Sequence, residues 1–268
     1  MLVHEFSHGV VARLYDIKVK HSGVAVLSVL LPVIPAAFVE PDEKVLRRRP
    51  AWQQLSVFAA GPFSNIVCAA LVVLLIIVAV NPVVGMVLQS DGVEVNDFFG
   101  NGTYPAEKAG LSVGDHIIAI DGTPIETMGN FTDALSNKTP GDVVVLYLND
   151  SSSHPVTLAE NPQEPGKGYM GIFVKQHTSY RQEFIGKYGK VTAHIVIWIA
   201  GLFMWLYVLN IGIGLFNLLP IPIVDGGRMM EVFLKKVLSK KRAEIVWYRL
   251  GMFFFLLILV NLILGFIR

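Results

Sequence analysis

The stretch HEFSH places His4, Glu5 and His8 in a spacing that could hold a metal ion. On a helix, residues four apart lie on one face about one turn apart, so both imidazoles can reach one ion with Glu5 beside it. Zn²⁺ lowers the pKa of a bound water to about 7, and a neighbouring carboxylate can then take its proton at neutral pH. The residues that follow, HGVVARLY, continue the same helix. Two imidazoles do not complete a catalytic zinc site, which needs a third ligand and one open position. The best candidate is Asp225, in FNLLPIPIVDGGRMM. Pro220 and Pro222 interrupt a helix there, and Gly226 and Gly227 allow a turn and close backbone approach. An acidic residue beside a broken membrane helix is a functional candidate, because an unpaired charge there is costly. The plainer role for Asp225 is the N-cap of the helix that follows. His21, His116, His154, His177 and His194 have no ligand-like partner at helical spacing and read as ordinary.

The elements that must position these groups are those of a membrane protein. Hydrophobic residues make up 53% of the 268 and charged residues 16%, and the mean hydropathy is +0.55, which excludes an ordinary soluble enzyme. A formal charge of +1 with no clustered basic face gives no case for a nucleic-acid partner. The lone Cys68 excludes an intrachain disulfide framework. Residues 55–80 and 191–220 are long and apolar enough to span a bilayer, and 250–267 is near the minimum length. Basic stretches, EKVLRRR and LKKVLSKKRAEIVWYR, precede the first and third spans, so two crossings separate them and they share a side. The Lys/Arg bias makes that side the cytoplasm. The expected location is therefore the cell membrane, multi-pass, with the basic loops cytoplasmic and the acidic stretch between the first two spans extracytoplasmic.

That intervening stretch reads as a soluble insert, with turn signals at SDG, IDGTP and KTPGD between short alternating runs such as HIIAI and VVVLYL. Phe131 and Leu135 mark one face of an amphipathic helix. PAEKAGLSVGDHIIAIDGTPI resembles the Gly-Leu-x-x-Gly-Asp-x-Ile stretch of PDZ domains, which implies a module that adds a peptide strand to an open sheet edge. Residues 22–41 are apolar yet carry Pro32, Pro35 and β-branched residues, which suits a re-entrant hairpin better than a clean helix. Asn65 stands one turn past Pro62 in an apolar helix, where a helix–helix hydrogen bond is its plain role.

Three motifs, HEFSH, GPFSN (61–65) and NLLPIPIVDGG (217–227), occur in this order and membrane setting. In this the chain resembles the site-2 protease family of intramembrane zinc metalloproteases, the PDZ-containing prokaryotic type. The resemblance implies His4, His8 and Asp225 as Zn²⁺ ligands, Glu5 as general base, and Asn65 near the site, orienting substrate or stabilising the oxyanion. It also implies a membrane-embedded β-element at residues 22–41 and a transmembrane helix ahead of the zinc helix, so the N-terminus is expected to be incomplete as written. The expected fold is an α-helical polytopic membrane protein with a re-entrant β-element, plus an inserted extracytoplasmic PDZ-like α+β domain. Its divisions are a membrane region at 1–80, the PDZ-like domain at 84–176 and a second membrane region at 190–268. The expected function is zinc-dependent cleavage of transmembrane protein substrates within the lipid bilayer, with a peptide or protein tail as a further partner at the PDZ-like domain. The competing expectation is a catalytically inactive member that binds membrane proteins through that domain.

Overall fold

In chain order the longer elements are α1 (Leu2–Leu14), β1 (Val19–Ser28), β2 (Val33–Pro41), α2 (Ala51–Leu75), β3 (Leu88–Phe98), β4 (His116–Ile120), α3 (Met128–Ser136), β5 (Val143–Leu148), β6 (Ser153–Thr157), β7 (Ile172–Tyr180), α4 (Gln182–Asn217), α5 (Asp225–Val237) and α6 (Lys240–Ile267). The computed structural model describes residues 1–28, 33–99 and 104–267. Two compact units result, one of Met1–Val80 with Ile199–Arg268, the other of Asn81–Trp198.

In the first unit, α1 buries His4, His8 and Ala12, a stripe at four-residue spacing. Its partner α2 buries Val57, Ala60, Gly61, Pro62, Asn65 and Ala69. These are mostly small side chains, which let two helix backbones come close. β1 and β2 form an antiparallel hairpin in which Ser22 opposes Val39. The centre of the expected re-entrant segment, residues 29–32, lies outside the described residues.

Among the described residues, three helices are long and apolar enough to cross a membrane: Ala51–Val87, Gln182–Asn217 and Lys240–Gly265. The first is α2 prolonged through a π-helical turn, Ile76–Val80, and a further helical stretch, Asn81–Val87. All three leave most of their apolar side chains uncovered, among them Leu71, Leu74, Trp198, Trp205, Leu256 and Leu262. Faces of this extent suit lipid rather than water. Two helices begin well ahead of their apolar runs. The stretch 240–249, expected to be part of a basic loop, is instead the start of α6, because Lys, Arg, Ala and Glu are good helix formers and long cationic side chains can lay their stems along apolar surface. α4 is broken near its start at Gly189, whose φ of 81° and ψ of 158° are not helical.

The second unit is built on an antiparallel sheet in the order β7-β3-β4-β5-β6, with a short strand, Thr123–Pro124, on β4. Val144, Leu146 and Leu148 alternate inward along β5, as a half-buried strand requires. On β4 both Ile117 and Ile120 face the core, because the register shifts between Ile117 and Ala119. Helix α3 starts at a capping box: Thr127 Oγ1 accepts from the Asn130 amide N–H, and Asn130 Oδ1 accepts from the Thr127 amide N–H. The helix then buries Phe131 against the sheet.

Candidate metal centre

The α1 stripe and the start of α5 bring three polar groups together. His4 Nε2 lies 3.0 Å and His8 Nε2 3.2 Å from the same oxygen, Asp225 Oδ2. Ligands about 2.1 Å from a tetrahedral ion stand about 3.4 Å apart, so both separations are close to those of two edges of a zinc coordination tetrahedron. The two rings meet edge to face, 4.8 Å between centroids, and all three residues are buried.

Each imidazole is oriented from behind. His8 Nδ1–H donates to the Val57 carbonyl at 2.7 Å, which leaves the Nε2 lone pair facing Asp225. His4 Nδ1 lies 3.2 Å from the amide nitrogen of Asn65. Asn65 is fully buried, and its Oδ1 has no hydrogen-bond partner. The amide's O and N are interchangeable by a half-turn. Turned that way, Oδ1 accepts from His4 Nδ1–H, the orphan is satisfied, and the His4 Nε2 lone pair is free for an ion. Both histidines would then carry the backing that metal-bound imidazoles almost always have.

A glycine lets the two rings pack closely against α2. A Cβ on Gly61 would stand 2.6 Å from His4 Nε2 and closer still to His8 Nε2, too near for any carbon atom. The donor set and the orphaned Asn65 oxygen together fit a zinc ion.

Asp225 arrives from the far end of the chain by way of the turn at residues 218–224. Its N-cap role is not what the structure has, since Val224 holds that position and Asp225 is the first helical residue. Its carboxylate is thus free for the histidines. Gly226 and Gly227 pack so tightly on this turn that a side chain at either would collide with the carbonyl of Leu218 or of Ile221. Trp247 Nε1–H pins the same place by donating to the Gly227 carbonyl at 2.7 Å.

Glu5 Oε2 accepts from the Val39 amide of β2 at 3.0 Å. His4, Glu5, His8, Val39, Asn217 and Asp225 line a cavity of about 250 Å³, room for several waters at about 30 Å³ each. Asn65 lies beside this centre, as expected, buried and with its amide against His4. Sequence reading gave Gly61 no role, although a glycine inside an apolar helix forfeits about 1 kcal/mol of propensity and therefore asks for a packing reason.

Such a set, two imidazoles and one carboxylate at a buried pocket among apolar helices, defines a candidate metal centre of a membrane protein. The chain belongs to Peptidase family M50, whose model matches residues 1–258. It is 22% identical to the regulator of sigma-W protease RasP of Bacillus subtilis (strain 168), over 83% of this chain and 61% of that protein. It is 23% identical to the chloroplastic membrane metalloprotease ARASP of Arabidopsis thaliana, over 76% of this chain and 56% of that one. The chain thus spans about three-fifths of the length of these relatives. Among solved structures, a PDZ domain of the SdrC-like protein of Listeria monocytogenes aligns with a TM-score of 0.28 at 26% identity, over 31% of this chain and 87% of that one.

Proposed function

We propose that the protein is an intramembrane zinc endopeptidase that hydrolyses a peptide bond within transmembrane protein substrates. The observation that carries this reading is the meeting of His4 Nε2 and His8 Nε2 on one Asp225 oxygen. Membership of a peptidase family supports it, as does the naming of relatives as metalloproteases. His4, His8 and Asp225 hold Zn²⁺, and Asn65 and the Val57 carbonyl keep the two imidazoles aimed. Zn²⁺ supplies Lewis acidity to the attacking water and to the scissile carbonyl. Glu5 takes the proton from that water and returns it to the leaving amine.

The bond between Glu5 and the Val39 amide adds a role for β2. A substrate helix hides its peptide groups in its own hydrogen bonds and must become extended before attack. A strand edge beside the catalytic carboxylate offers the unwound backbone new partners. The second unit, PDZ-like over 84–176, presents or restricts substrates and binds a peptide or protein tail. On this reading it lies outside the cell membrane, and the basic segments lie on the cytoplasmic side.

Zinc content and cleavage of a model transmembrane substrate, measured on the unsubstituted protein and on Glu5→Gln, test the assignment. Zinc should be retained in both and cleavage lost only in the variant. Equal cleavage would end the protease reading and leave a protein that binds membrane partners without cutting them.

A further inference from the structure

We propose that Asp91, His116 and His177 form a second metal site, on the sheet of the Asn81–Trp198 unit, that takes Zn²⁺ or a similar divalent transition cation. The three residues come from three neighbouring strands, Asp91 from β3 at the centre, His116 from β4 and His177 from β7. Register sets His177 opposite Gly92 and His116 opposite Glu94, and a register shift between His177 and Thr178 turns the end of β7. His177 Nδ1 lies 2.7 Å and His116 Nε2 3.9 Å from Asp91 Oδ1, and the three potential ligand atoms fall within 4.8 Å of one another.

The two measured separations bracket the ~3.4 Å edge of a tetrahedral zinc site, so an ion would shift each by well under an ångström. Two imidazoles and one carboxylate suit zinc, copper or nickel, whereas magnesium and calcium prefer oxygen alone. The rings lie 3.8 Å apart between centroids and are tilted by 31°, and the Asp91 carboxylate accepts from His177 Nδ1–H. Burial pushes the Asp91 carboxyl up, but hydrogen bonds from Ser179 and His177 outweigh it and hold it below the usual carboxylate range. His116 Nε2–H now donates to the Asp91 carbonyl at 3.0 Å, so binding requires the tautomer with the proton on Nδ1. Gly92 lies against the same nitrogen, where a Cβ would stand 2.5 Å away. The side chains remain 13%, 30% and 31% exposed for His116, Asp91 and His177, so an ion can enter from solvent.

The site is tested on the full chain in detergent, stripped of metal, re-equilibrated with Zn²⁺ alone, freed of loose ion and analysed for zinc per chain. The unsubstituted protein should retain about two equivalents, and Asp225→Ala, with the sheet unaltered, about one. His177→Gln and Asp91→Asn should each lose one equivalent, and either combined with Asp225→Ala should lose both. A single equivalent in the unsubstituted protein that disappears with Asp225→Ala would overturn the proposal. A count lowered by His177→Gln but unmoved by Asp225→Ala would instead overturn the centre at His4, His8 and Asp225 and leave this one standing.

Discussion

Replacing Gly61 by alanine should separate metal binding from folding. The added carbon would stand 2.6 Å from His4 Nε2, about 0.8 Å inside the distance at which ordinary contact begins, and closer still to His8 Nε2. The helix itself gains from the change, since alanine exceeds glycine in propensity by about 1 kcal/mol. Overpacking costs about 1–3 kcal/mol, so net destabilisation should stay within about 2 kcal/mol. The ligands have no such offset. Both rings must retreat from the place where their lone pairs meet, and a displacement of this order costs about 100-fold in cleavage. Zinc affinity, read by competition with a chromogenic chelator on detergent-solubilised protein, should fall at least ~10-fold. Thermal unfolding of the same preparation reports the folding side. Gly201→Ala is the control, because nothing lies within 4 Å of a Cβ there, and both readings should be unchanged. A folded Gly61→Ala protein that bound zinc as tightly as its parent would refute the placement of the ion between the two imidazoles.

Glu5→Gln should keep its zinc while cleavage drops by about 10²–10⁴-fold, the usual size of a lost general base. Asn65→Leu removes the acceptor for His4 Nδ1–H and should weaken zinc binding about 10–100-fold. Asn65→Asp restores that acceptor and should recover most of the affinity, an outcome that a purely space-filling Asn65 would not produce. Gly227→Ala meets the Ile221 carbonyl and, unlike Gly61→Ala, should lower the melting temperature together with the zinc content. Chelating the zinc should lower the melting temperature by ligand linkage, about 2.7 kcal/mol for free zinc at 100 times its Kd, and Asp225→Ala should abolish most of that response.

Where a functional group lies on one helix, its partner could be read from spacing alone, as for His4 and His8. Asp225 was legible for a different reason: prolines and glycines around a carboxylate advertise a broken helix end, which the packing of Gly226 and Gly227 on the preceding turn bears out. Asn65 was visible as a polar residue in an apolar helix, but not its partner. Which group meets a buried amide depends on how two helices pack, and His4 is 61 residues away. Gly61 was hidden because the role belongs to an atom that is missing. His116 and His177 read as ordinary because they have no partner at helical spacing, whereas strand register brings them to Asp91. Apolar runs located the spans but not their ends, since helix α6 continues back through lysines and arginines that hydropathy reads as loop.

Asp225, the third ligand proposed for the ion, lies 221 residues beyond His4. During synthesis the emerging polypeptide therefore displays both histidines and Glu5 long before it can complete the ion's coordination. On the proposed reading, hydrolytic capacity would arrive late, once translation has passed residue 225, and a product stalled before that point would be left with a half-built centre.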